Sequence, residues 1–516
     1  MNRKWTLRAG TPDDDNRSYL PFSIIGSDIV VNENGNNSQP YPARLQKFQE
    51  VIADGKENIW YEYVPASYDP EKKAPLIVSL HGGLMTGWGQ CVYSSWSMLA
   101  EREGLLCVFP DASEMMFWCT EGIYESGGPT ELDGKTVARA PADYRENHDL
   151  NFVRGLIERM KQKYNVDESR IFMQGMSMGN MMTHQFARYY GDLLAGAAGA
   201  GGSTFPYCLF DQSGKIKNIA GPVPVWQSRP EHNSHGSDYR EAARKNDYNR
   251  YYWLKLNECD PLPEIRIHGE NNFAFYRGKK ADLVYLDIKN RDHGQSLDEA
   301  YLYWDYFFSG LRREADGSIT MGETNLPRKG DEHAAAFAPG VSRVWWHNRV
   351  VELKAAPVRW QKLKYHGLNG GQLVRGEYTC VPVSFLAEMT GGTLSVSEDT
   401  LTAALTLPDG RELQFARGSI GCMIDEKLRS MYCEALHREG ELLISVEWFA
   451  RYILGWTATE CDGVTYVTDH FAELSYYMAG VIRDILEGNH TFESYEKIMR
   501  EAIPFLRTSE RNTEGN

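Results

Sequence analysis

The sequence predicts an α/β protein: a mostly parallel sheet with helices on both faces, followed by a small C-terminal α+β domain. Between about residues 51 and 312, short apolar runs ending in Gly-rich loops alternate with amphipathic segments, the pattern of a sheet covered on both sides. One such junction, "QGMSMG", spaces Gly175, Ser177 and Gly179 as a tight strand-to-helix turn requires. Further on, "VPVSFLAEMTGG" from Val381 matches "ISVEWFARYILG" from Ile444 at an offset of 63 residues, predicting two copies of a strand, a short helix and a Gly stop.

The elements follow in order. Residues 1–50 are polar, with "NENGNNSQPYP", and read as an extension lying over the main domain. "IWYEYVPASY", "APLIVSLHGG" and "GLLCVFPDAS" read as strands. "DLNFVRGLIERMKQKY" reads as a helix, because Leu150, Val153, Leu156, Ile157 and Met160 recur every three or four positions. Asp149 is the expected cap, and Lys161 and Lys163 suit the dipole of the last turn. "SRIFMQGMSMG", "LLAGAAGAGG", "PVPVWQS" and "ADLVYLDIK" continue the alternation to the helix "DEAYLYWDYFFSGL". Residues 313–365, punctuated by Pro and Gly, read as a structured linker, 366–470 as the duplicated module, and 471–516 as a helical tail packed on that module.

At 516 residues the chain exceeds one ordinary core, hence one large domain and a smaller one. Its 42% hydrophobic and 24% charged residues are those of a globular protein, and a net charge of -15 argues against a nucleic-acid partner, which needs Lys and Arg against phosphates. Nine cysteines without close pairing read as reduced, buried thiols. No segment reaches membrane-spanning length, and the first residues hold no apolar run of signal length. The expectation is cytoplasmic, although a chain trimmed of its leader would read identically. A homo-oligomer is compatible with the sequence, which does not specify one.

Chemistry concentrates at Ser177. A Ser on a sharp strand-to-helix turn presents its Oγ at a helix N-terminus, where the dipole favours developing negative charge. Such a nucleophile needs an oxyanion hole. The backbone N–H of Met178, with that of Gly83 or Leu84 in the upstream loop "HGGL", is the expected set of donors. His81 opens that loop and reads first as its prop, with substrate contact as the second reading. The general base should follow the last core strand, where His293 stands in "LDIKNRDHGQS". The acid should follow the preceding strand. Glu231 in "SRPEHN" is the first carboxylate there, Asp238 is the runner-up, and Asp292 adjoins His293 too closely in sequence to face its ring.

With these residues in view, the region from about 55 to 312 resembles the poly(3-hydroxybutyrate) depolymerase and feruloyl or acetylxylan esterase group, the carbohydrate esterase family 1 type of α/β-hydrolase. The likeness rests on "PLIVSLHGG", "DLNFVRGLIERMKQKYNVDESRIFMQGMSMGN", "PVPVWQSRPE" and "RDHG", in that order. The group carries Asp where this chain has Glu231, and often a small residue at Met178. The resemblance implies that Trp118, in "MMFWCTEG", lines the substrate channel as a wall of the acyl pocket, while a large buried aromatic without ligand contact is the equal alternative. Residues 366–470 resemble the copper amine oxidase N-terminal (stalk) domain, which is not that oxidase's metal site. His366, His437 and His470 stand isolated, and no metal or other cofactor is expected.

The reading is therefore a serine carboxylic-ester hydrolase working through an acyl-enzyme without a cofactor. The resemblance implies small-molecule or polymer-derived substrates bearing acyl, feruloyl or hydroxyalkanoate esters. Two alternatives stay open: a serine peptidase of the prolyl-oligopeptidase type, which lacks its gating domain here, and an inert scaffold whose working part is the repeat module.

Overall fold

The computed structural model describes residues 42–511, apart from 114–116, 123–129, 133–134, 138–139, 212, 233–238, 294–295 and 367–370. Most of the expected extension, the runner-up acid Asp238 and the last five residues of the tail therefore lie outside the described residues.

Ten strands form the main sheet: β1 (Leu45–Ala53), β2 (Lys56–Tyr63), β3 (Ala74–Leu80), β4 (Leu106–Pro110), β5 (Val166–Met176), β6 (Gly196–Ala200), β7 (Val225–His232), β8 (Glu264–His268), β9 (Asn271–Tyr276) and β10 (Leu283–Asp292). Their order across the sheet is β1-β2-β4-β3-β5-β6-β7-β10-β9-β8. The strands from β4 through β3, β5, β6 and β7 to β10 run parallel, while β2 meets β4 and β9 meets β10 antiparallel. Every residue of β3 and β4 is buried, because helices cover both faces of a parallel sheet. This order, a parallel centre with an antiparallel hairpin at each edge, is that of an α/β-hydrolase.

Helix α1 (His148–Lys163) buries the Leu150, Val153, Leu156, Ile157 and Met160 stripe. Its cap is Asn147, whose side chain accepts from Leu150 N, and not Asp149 as the sequence suggested. Asp149 points away from that helix's own amides and holds a loop, described below. Helix α2 (Met178–Tyr190) starts at the turn carrying Ser177. Helices α3 (Tyr239–Leu256) and α4 (Glu299–Tyr306) flank β10 in sequence.

The stretch read as a linker is more than a connector. It supplies β11 (Ala334–Phe337), β12 (Arg343–Trp346) and β13 (Arg349–Glu352), and then β14 (Val358–His366). β11 pairs with the last strand of the module, Val464–Thr468, in a five-stranded sheet. Short alternating runs in a Pro- and Gly-rich context carry too weak a period to signal strands.

The two repeat copies are a strand (Gly371–Pro382) leading into α5 (Val383–Thr390), and a strand (Glu441–Ser445) leading into a helix at Val446–Phe449. The first helix ends on Gly391 and the second on Gly455, both left-handed. The second copy is one residue longer, and a π-turn over Ala450–Leu454 absorbs the extra residue so that both helices stop alike. All nine cysteines are free, and Cys380 and Cys433 approach to 3.6 Å between sulfurs in this part of the core.

The tail forms α6 (Tyr476–Glu487) and α7 (Phe492–Arg511). It packs on the α/β domain as well as on the module: Tyr495 packs against Tyr251 of α3 with centroids 5.4 Å apart and the rings tilted by 37°. Trp345, Tyr466, Met478 and Ile482 join the same apolar cluster as Val78, Leu156 and Tyr252. One core thus runs from the large sheet into the C-terminal part. No helix among the described residues is long and apolar enough to cross a membrane.

Candidate active site

Ser177 sits between β5 and α2 with φ 53° and ψ -117°, a conformation non-Gly residues rarely adopt. Its neighbours hold it there. A Cβ on Gly175 would lie 2.1 Å from Gly179 O, and one on Gly179 would lie 2.3 Å from Leu80 O. Only glycines let α2 start this close to β3. Backbone bonds fix the turn from both sides, Ser177 N donating to Ala200 O at 2.8 Å and Met181 N to Ser177 O at 3.1 Å.

His293, beyond the end of β10, reaches the same point from 116 residues away: its Nε2 is 2.9 Å from Ser177 Oγ. The loop carrying it turns at Asn290, a non-Gly residue at φ 60°. Glu231, the expected acid at the end of β7, is buried beside this loop. Its Oε2 accepts from Asn290 N at 3.1 Å and its Oε1 from Tyr476 N at 2.9 Å, with Lys289 Nζ 3.8 Å away. The alternative acid Asp238 lies outside the described residues.

The upstream loop reaches the elbow as expected. Leu84 takes φ 62°, and a Cβ on Gly83 would lie 3.0 Å from Met178 Sδ, so the residues named as oxyanion donors share one corner.

His81 takes the first of its two readings, the prop of its loop, while Trp118, which the resemblance set in the channel wall, requires a correction. They are 0% and 1% exposed. His81 Nε2 accepts from Ala112 N at 2.9 Å, which puts the ring proton on Nδ1, 2.6 Å from Gly82 O. Burial lowers its pKa to about 4, so the ring stays neutral. Trp118 Nε1 donates to His81 O at 2.7 Å and its ring lies 4.9 Å from the imidazole. Both brace the Gly82–Gly83 loop from behind. The resemblance led elsewhere because neighbourhood in sequence does not reveal which face of a loop a side chain takes.

Sequence reasoning missed two contributors. Asp149 is buried and accepts from Ser113 N at 3.1 Å and Cys119 N at 2.7 Å, anchoring the loop that carries Trp118. Trp88, five residues past Gly83 in the short helix Gly87–Tyr93, is 41% exposed, and Leu84 in the loop is 43% exposed. A bulky aromatic just after a Gly-Gly loop was the available signal.

Two carboxylates are buried on the elements that precede and follow His293 in sequence. Burial pushes Glu299 up to about 7 despite the Ser296 N–H at 2.8 Å and the Tyr303 hydroxyl at 3.2 Å, and pushes Asp287 on β10 up to about 7. Among the described residues no group of three or more His, Cys, Asp or Glu side chains is placed to hold a metal.

Sheet order and Gly-flanked elbow are those of the α/β-hydrolase fold, and the elbow brings Ser177 Oγ to His293 Nε2. No known family profile matches the chain. It is similar to the bifunctional acetylxylan esterase/xylanase XynS20E of Neocallimastix patriciarum, with 27% identity over 251 residues, covering 47% of this chain and 32% of that protein. Poly(3-hydroxyalkanoate) depolymerase C of Paucimonas lemoignei matches at 26% over 190 residues, 36% of this chain and 37% of that one. Feruloyl esterase B of Thermothelomyces thermophilus matches at 25% over 194 residues, 37% of this chain and 55% of that one. The chain therefore spans between a third and just over half of these relatives' lengths. Among solved structures, an acetyl xylan esterase from Aspergillus awamori is similar at 16% identity and a TM-score of 0.36, over 50% of this chain and 97% of that one. The resemblance of residues 366–470 to the copper amine oxidase N-terminal domain finds no support among these relatives.

Proposed function

We propose that this chain is a serine carboxylic-ester hydrolase with Ser177 as nucleophile and His293 as general base. The observation that carries the reading is the 2.9 Å Nε2–Oγ approach on a strained elbow. Neutral His293 takes the Ser177 proton as Oγ attacks the ester carbonyl. The tetrahedral oxyanion is stabilised by the N–H groups of Met178 and of Gly83 or Leu84. His293 then passes its proton to the leaving alkoxide, and the alcohol departs. Water gives a proton to the same imidazole while adding to the acyl-enzyme, and the acid is released with Ser177 restored. Glu231 is the carboxylate of this set, holding the His293 loop through Asn290 N.

Acyl, feruloyl and hydroxyalkanoate esters, free or on a polymer, are the proposed substrates, supported by the names the relatives carry. Leu84 and Trp88, large apolar side chains exposed on and just after the Gly82–Gly83 loop, are the proposed contacts for the acyl part. Residues 51–312 carry the chemistry, and the chain beyond them is a structural addition to the same core.

Ser177→Ala is expected to abolish p-nitrophenyl acetate hydrolysis and fluorophosphonate labelling with the fold intact. Retention of more than a few per cent of the rate refutes the assignment. A panel of acetyl, butyryl, hydroxybutyryl and feruloyl esters then sets the acyl preference, and aminoacyl-naphthylamides in the same panel test the peptidase alternative.

A further inference from the structure

The loop that carries His293 is tied to a part of the chain that supplies none of the proposed reacting groups. Residues 469–476, which lead into α6, lie along the β8–β9 hairpin. Gly269 and Ala472 form a parallel bridge, Gly269 N donates to Phe471 O at 2.9 Å, and Glu473 N donates to Gly269 O at 2.9 Å. Asn272 clamps the same segment, its Nδ2 donating to Glu473 O at 3.0 Å and its Oδ1 accepting from Ser475 N at 3.0 Å. From there the contacts run to the loop of the base. Lys289 Nζ donates to Leu474 O at 2.9 Å and Asn290 Nδ2 to Glu473 Oε2 at 3.4 Å.

Glu231 completes the link. One oxygen accepts from Tyr476 N, the first residue of α6, and the other from Asn290 N, three residues before His293. Tyr476 N has no carbonyl to meet within its own helix, so a buried carboxylate satisfies it and gains from the helix dipole. Because Asn290 holds a left-handed turn, the direction of the following residues depends on that bond being kept.

We propose that the N-terminus of α6 positions the catalytic base: the Tyr476 N–H orients Glu231, Glu231 holds Asn290, and Asn290 sets the loop that delivers His293 to Ser177. Tyr476 is a positioning residue acting through its backbone, and the C-terminal segment completes a centre otherwise built by residues 51–312. This rests on the proposed Ser177–His293 reading.

Proline at the first position of a helix is well tolerated, and Ser475 before it is already extended at φ -83° and ψ 160°, as a residue preceding proline must be. Tyr476→Pro therefore deletes the ring and the N–H together, whereas Tyr476→Ala deletes the ring but keeps the N–H, so the difference between the two isolates the N–H. The full chain carrying each substitution is measured for kcat and KM on p-nitrophenyl acetate, for the rate of fluorophosphonate labelling at Ser177, and for Tm. The proline variant is expected about tenfold below the alanine variant in kcat and in labelling rate, with KM within twofold and Tm within a few degrees. Equal kcat and labelling rates in the two variants overturn the proposal, as does a proline variant that loses rate only in proportion to lost folded protein. Glu231→Gln, which removes one of the two acceptors, is expected to lower the labelling rate as Tyr476→Pro does, and an unchanged rate also overturns it. A wild-type chain that labels but hydrolyses no ester refutes the substrate reading and leaves the labelling comparison decisive. One that does neither overturns both.

Discussion

Gly179→Ala tests whether the elbow geometry itself carries the activity. The added Cβ would stand 2.3 Å from Leu80 O, against the 3.4 Å at which ordinary contact begins, so the start of α2 must retreat from β3 by about 1 Å. Ser177 is the residue before α2 and moves with it. Its Oγ, now 2.9 Å from His293 Nε2, would be left at roughly 4 Å, beyond hydrogen-bond reach. A misplacement of this size costs about 100-fold in kcat, or about 2.7 kcal/mol of barrier, and overpacking costs a further ~1–3 kcal/mol of stability. The assay is kcat and KM on p-nitrophenyl acetate with calorimetric Tm on the same samples. The control is Gly480→Ala in α6, where a Cβ meets nothing within 4 Å and Tm should rise slightly as kcat stays put. A Gly179→Ala enzyme with wild-type kcat, or one whose loss is entirely in folded fraction, refutes the reasoning.

Two other outcomes are expected. Glu299, ordinarily at 4.5, is raised to about 7 in the folded state, so the unfolded chain ionises first as pH climbs. Its contribution is intact below about pH 4.5 and is lost on the way to about pH 7, amounting to about 3 kcal/mol. Glu299→Gln should therefore gain stability relative to wild type between pH 5 and pH 8 by calorimetry, and a constant difference in Tm contradicts the raised pKa. Trp88→Ala should raise KM for feruloyl and p-nitrophenyl butyrate esters several-fold while leaving kcat for the acetate near its starting value, because it removes apolar surface remote from the reacting atoms. An unchanged KM across the panel would place the acyl site elsewhere.

Much of the α/β part, residues 51–312, was legible in the residues. The G-x-S-x-G turn, the apolar runs of β3, β4 and β5, and the 3.6-residue stripe of α1 are local signals, set by sterics and spacing within a few positions. The order of the parts along the chain then singled out His293 among thirteen histidines. The duplicated strand-helix-Gly unit was visible for the same reason, down to the stop at Gly455, although not the π-turn that keeps it in step.

What only the tertiary structure decided is which side chain faces which partner. That His81 and Trp118 brace a loop from inside, that residues 334–352 are strands of a shared sheet, and that Glu231 meets an amide 245 positions away at Tyr476 are long-range facts. No period or spacing encodes them, because they depend on burying one common core from the large sheet through the C-terminal segment, and that burial is settled by the whole chain at once.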